Sequence, residues 1–244
     1  MPYNLIIDNP YVIENEDFCI YSNQSLKKLS DKSLEELKLS KKRILDFFKI
    51  DKFRKVIMIN FDDIDEFRKY VLSLREPGAH LPKYATGVFD KGMIISYIDS
   101  NIIKDKYHLN QKIKNGVHEF VHIINREKIY QERVIWLDEG LATNLETRKD
   151  NFENDNKFIE YLKEKILGIE DLPIMNDLTP QGTGFKQENY DGYDLVYVCV
   201  RYLLETTEKN RLLEILKDYN LSIEVGKTVL QDAINYYKNK SYPT

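Results

Sequence analysis

The sequence predicts an α+β protein: a small mixed β-sheet with helices in the N-terminal half, a helix pair carrying the candidate site, then an all-helical C-terminal lobe. Three observations carry this. Short β-prone runs alternate with helical stretches as far as Tyr97. From Leu109 onward, apolar residues recur at helical spacing almost without interruption. Hydrophobic residues make up 42% of 244, with 17 Tyr and 11 Phe, which is ample material for a core. The lobes implied are residues 1–126, α/β and ending in the first helix of the pair, and residues 127–244, helical, the two forming one compact unit.

Taken in order, Tyr3 to Ile7 and Asp17 to Tyr21 read as strands or a loose hairpin. Ser33 to Phe48 places Leu34, Leu37, Ile44, Leu45 and Phe48 on one helical stripe. Val56 to Ile59 suits a buried strand, and Asp62 or Asp63 can cap a helix carrying Ile64, Phe67, Val71 and Leu72. Ala85 to Phe89 and Met93 to Tyr97 flank Asp90-Lys91-Gly92, a hairpin signal. Helices are expected over 109–126, 138–148, 153–167, 190–206, 208–218 and 226–238. Between them, Gly168 to Glu188 is rich in Pro and Gly and is long enough for a mobile loop over a site.

The 36 Lys and Arg against 40 Asp and Glu give a net charge of −4, so nothing marks a nucleic-acid surface and no such partner is expected. No apolar run approaches the ~18–20 residues that span a bilayer. The opening Met1-Pro2-Tyr3-Asn4-Leu5 lacks the charged and apolar regions of a secretion signal. A cytoplasmic protein without a membrane partner is the expectation. Cys19 and Cys199, each in apolar surroundings, are expected as buried free thiols.

The chemistry concentrates in Val117-His118-Glu119-Phe120-Val121-His122. A helix stacks residues i and i+4 on one face, so the two imidazoles can grip one cation. Zinc takes neutral imidazole and carboxylate donors, and a catalytic zinc keeps a position for water, so a third protein ligand is required. Glu119 is placed to act on that water. The chain holds four His, and a composition-based count gives roughly 0.005 chance matches to this motif, which disfavours coincidence. The third ligand is expected from Trp136-Leu137-Asp138-Glu139-Gly140-Leu141-Ala142. The sixteen residues between His122 and Glu139 let the first helix end and an antiparallel one return past it. Asp138 is expected to cap that second helix, while Gly140 and Ala142 allow close helix packing.

At these residues the sequence resembles the gluzincin metallopeptidases, the peptidase-MA-like branch that includes thermolysin and the M1 aminopeptidases. His118, Glu119, His122, Glu139, Gly140 and Ala142 match its pattern of His-Glu-x-x-His followed by a helix with Glu-Gly. The resemblance implies one compact catalytic unit that hydrolyses a peptide or protein substrate. One Zn2+ ion would be held by His118, His122 and Glu139, with Glu119 as general base. It also implies that Ala85 to Phe89 is an edge strand pairing with an extended peptide, and that a Tyr near the start of the helix at 193–203 faces the metal. Tyr193 is the candidate for that oxyanion donor, with Tyr190 as its competitor. One departure is visible: where thermolysin-like members carry an Asp that orients a metal-bound His, this chain has Thr143, with Asn144 beside it. The alternative reading is an inactive or structural zinc-binding interaction protein on the same scaffold. The intact Glu119 argues against it, because a purely structural site needs no base there.

Overall fold

A computed structural model describes residues 5–81, 86–146, 155–169, 171–178, 185 and 187–240, the side chains of 155–159 excepted. The chain divides into two compact units, residues 1–123 and 124–244. The architecture is α+β: a mixed five-stranded sheet in the N-terminal half and helices in the C-terminal part.

The first unit is built on β1 (Tyr11–Glu14), β2 (Phe18–Ser22), β3 (Val56–Phe61), β4 (Gly87–Asp90) and β5 (Met93–Tyr97). Their order across the sheet is β1-β2-β3-β5-β4, with β2, β3 and β5 parallel and the outer pairs antiparallel. The central strand Val-Ile-Met-Ile-Asn-Phe is apolar on both faces, as a strand covered on both sides requires. On one face Ile59, Phe61, Met93 and Ile95 meet Phe67, Tyr70 and Val71 of α2 (Ile64–Ser73). Met58 points the other way, toward α1 (Lys27–Phe48) and α3 (Lys106–Ile124). There a Cβ on Gly116 would stand 3.3 Å from Met58 and 3.9 Å from Leu37. The ring of Phe120 on α3 packs edge-on against Phe18 at 5.2 Å and Phe53 at 5.9 Å. The helix bearing the two histidines is thereby anchored to the sheet.

Local chemistry explains most boundaries. Asp63, rather than Asp62, caps α2, accepting from the amides of Asp65 at 2.8 Å and Glu66 at 2.9 Å. The β4–β5 turn has Lys91 at φ 45° and Gly92 at φ 78°, the two consecutive left-handed residues of a tight hairpin. The sheet starts later than predicted. Leu5, Ile6 and Ile7 form no strand and instead pack their side chains into the core beside α2. Tyr11–Glu14 is the strand that pairs with β2. The run is apolar because it packs against the core, with Ile7 buried and Leu5 and Ile6 partly so, and such packing alone does not confer a ladder partner. Tyr3 and Asn4 of that predicted run, and Ala85 of the other, lie outside the described residues.

The second unit comprises α4 (Ile135–Leu145), α5 (Asp155–Lys165), α6 (Gly192–Thr206), α7 (Lys209–Lys217), α8 (Tyr219–Gly226) and α9 (Val229–Asn239). Helix α6 is its hydrophobic axis, with Leu195, Val196, Val198, Cys199 and Val200 all fully buried. Asp191 caps α6 by accepting from the amide of Tyr193 at 2.9 Å. Helix α8 was not predicted separately: Asp218 ends α7 and caps α8 through the amide of Leu221 at 3.1 Å. Within 168–188 the described residues include fixed points, since Met175, Leu178 and Phe185 are buried. Asn176 also donates to the carbonyl of Ile223 at 2.8 Å. Both cysteines are buried free thiols. Among the described residues no helix is long and apolar enough to cross a membrane.

Candidate metal centre

The i, i+4 spacing on α3 places the Nε2 atoms of His118 and His122 3.0 Å apart, the rings meeting edge-on at 4.7 Å between centroids. Two imidazoles with Zn–N distances of ~2.0–2.1 Å at a tetrahedral angle bring their nitrogens to about 3.3 Å, so the rings already stand near the separation that one shared cation requires. Both residues are half-buried, as is Glu119. Glu119 follows His118 directly and precedes His122 by three, which keeps its carboxylate beside the same helical face.

Helix α4 carries Glu139 in its second turn. One potential ligand atom from each of His118, His122 and Glu139 lies within 4.8 Å of the other two. Two nitrogen donors and one carboxylate oxygen form a donor set of the kind zinc accepts at catalytic sites, so the residues present fit the ion expected from the sequence.

Around Glu139 the structure shows a network that the sequence reading missed. After Ile124 the chain continues as a π-helical turn over Asn125–Ile129, closed by the amide of Tyr130 donating to the carbonyl of Asn125 at 3.1 Å. Asn125 is fully buried and its Nδ2 donates to Oδ1 of Asp138 at 2.7 Å. On the other oxygen, Arg133 Nε donates to Asp138 Oδ2 at 2.6 Å, with the Tyr130 hydroxyl more distant at 3.4 Å. The same guanidinium reaches Glu139, Nη2 to Oε1, at 2.6 Å.

Asp138 therefore does not cap α4. The cap position is Val134, and Asp138 lies four residues further on, only 2% exposed. A carboxylate that deep in the protein needs a cation and donors, and Arg133, Asn125 and Tyr130 provide them. The electrostatics follow. Burial lowers the Arg133 guanidinium's proton affinity, but Asp138 and Glu139 outweigh it and hold the group above its ordinary value. Burial, then the Asp138 charge, pushes the Tyr130 phenol well up.

Thr143 and Asn144 also have definite tasks. Thr143 Oγ1 donates to the carbonyl of Glu139 at 2.9 Å. Asn144 Nδ2 donates to the carbonyls of Gly140 at 2.7 Å and Tyr197 at 3.0 Å, tying α4 to α6. The Glu-Gly pair permits that approach: a Cβ at Gly140 would stand 2.5 Å from the Val196 carbonyl oxygen.

The two tyrosine candidates are placed differently. Tyr193 is the second residue of α6, 45% exposed, with its ring 5.0 Å from that of Phe185. Tyr190 lies just before the helix and lines a cavity of about 780 Å3 with Glu164, Asp171, Glu188, Asp191 and Asp194. The edge strand expected over Ala85 to Phe89 is observed as β4, Gly87–Asp90, which ends the sheet among the described residues.

No protein-family model matches the chain, and no curated protein matches it either.

Proposed function

We propose that the chain is a gluzincin-like zinc metallopeptidase hydrolysing peptide bonds. The observation that carries this reading is the meeting of His118, His122 and Glu139 within 4.8 Å around a helix that also presents Glu119. His118 and His122 would hold the ion through Nε2, and Glu139 through its carboxylate. Bound zinc supplies Lewis acidity, polarising a scissile carbonyl and lowering the pKa of water toward ~7. Glu119 accepts the proton of the attacking water on its carboxylate and passes it to the leaving amine. Tyr193, in the first turn of α6, is assigned to donate a hydrogen bond to the oxyanion, a contact of a kind that contributes about 3 kcal/mol at other enzymes. The outer edge of β4 would receive an extended peptide by main-chain pairing.

A cytoplasmic setting belongs to the same proposal, and the two buried free thiols support it because reducing compartments keep cysteines unpaired. The test is Glu119→Gln in zinc-loaded protein assayed against a peptide library. The substitution keeps size and polarity but removes the base, so the variant should retain zinc and lose at least about 100-fold in turnover, the scale of general-base catalysis. A variant that cleaves peptides as fast as the parent refutes the mechanism.

A further inference from the structure

The buried Asp138 and the proposed ligand Glu139 are adjacent in sequence, so on α4 their side chains leave the helix about 100° apart. A single guanidinium bridges them. Arg133 uses Nε for Asp138 at 2.6 Å and Nη2 for Glu139 at 2.6 Å. Asp138 is in turn gripped by Asn125 at 2.7 Å from the π-helical turn that follows α3. Resting on the metal reading above, we propose that Arg133 is a positioning residue: clamped by Asp138, it fixes the rotamer of Glu139 so that the carboxylate is presented ready-made to a divalent cation.

Three features support the assignment. Asp138 is 2% exposed, so the carboxylate end of its contact with the 41% exposed Arg133 is shielded from solvent competition. The planar fork of arginine gives two directed bonds from one rigid group, which a lysine ammonium cannot reproduce across two carboxylates. The nearby hydroxyl of Thr143 donates to the Glu139 main-chain carbonyl at 2.9 Å and not to its carboxylate. Orientation of the Glu139 side chain thus comes from Arg133, ahead of the helix.

Metal-free protein is titrated with cobalt(II), read by its visible d–d absorption, in the parent and in Arg133→Lys. Lysine keeps the charge beside Asp138 but loses the bridge. Affinity should fall 10- to 100-fold, the usual consequence of losing a group that orients a ligand, and the band shape should change. Melting of the metal-free variant is recorded in parallel. If Arg133→Lys does not fold, the neutral, isosteric Asp138→Asn, which releases Arg133, should give the same loss. Cobalt affinity within about 2-fold of the parent with an unchanged spectrum overturns the proposal. So does tighter binding, which would make Arg133 a competing charge. A parent chain that takes up no cobalt overturns the metal reading and this inference together, whereas failure of the variants alone to differ overturns only the inference.

Discussion

A carboxylate 2% exposed is costly unless cations and donors surround it, and Asp138 shows how this chain meets that demand. Its partners Tyr130 and Arg133 come from the segment between the two helices of the predicted pair, which the sequence pattern left unassigned, and Asn125 comes from the end of the first predicted helix, 109–126. The candidate group was readable because His118 and His122 follow a helical spacing rule and Glu139 falls in the next helical segment. The clamp was not, because nothing in Asp-Glu tells which acid turns inward. Asp138 read as a cap for the ordinary reason that acids favour helix starts, and the helix simply begins three residues earlier than predicted. Asp194 gives a second prediction at this scale. Burial raises its carboxyl above the ordinary value, although the Tyr161 hydroxyl, donating at 2.7 Å, opposes the shift. The folded chain therefore binds this proton more tightly than the unfolded chain. Its contribution to stability is fully present below the ordinary value of 3.8 and is lost as pH rises through the raised value. In urea unfolding between about pH 4 and pH 7, Asp194→Asn should lose less stability than the parent over that interval. Parallel curves would contradict the assignment.

Elements were legible where one period dominates and a cap closes it. The α2 helix is the clearest case: an apolar stripe, Asp63 at the start, and acids in the first turn. Asp63→Ala should cost about 1 kcal/mol, as loss of an N-cap does, measured by denaturant midpoint with unchanged m-value. The β4–β5 hairpin was equally readable, since Lys91-Gly92 supplies the backbone that the turn demands. Misreadings arose where tertiary context decides, as with Leu5 to Ile7, packed against the core without a ladder, and with the π-helical turn, whose extra residue leaves no mark in an apolar periodicity. The contact of α4 with α6 offers the sharpest prediction at this scale. Because a Cβ at Gly140 would meet the Val196 main-chain oxygen at 2.5 Å, Gly140→Ala must push the helices apart. It should destabilise by about 1–3 kcal/mol, the range for overpacking. A neutral alanine variant would show that the contact is slack.

At the scale of the whole molecule, the α+β class, the mixed sheet and the helical C-terminal part follow from the pattern of periods along the chain. The central proposal is chemical: His118, His122 and Glu139, which could hold a metal ion, would hold one zinc ion. An ion bound only by the folded chain stabilises it by mass action, about 2.7 kcal/mol at a hundred times the dissociation constant, so zinc should raise the melting temperature of the parent and not of His118→Ala. The most direct measurement is zinc content per chain, by elemental analysis after reconstitution and removal of free metal. It is made on the parent and on His118→Ala, His122→Ala and Glu139→Ala. About one equivalent is expected for the parent and a small fraction of that for each variant. A parent without zinc, or variants that retain it fully, would contradict it.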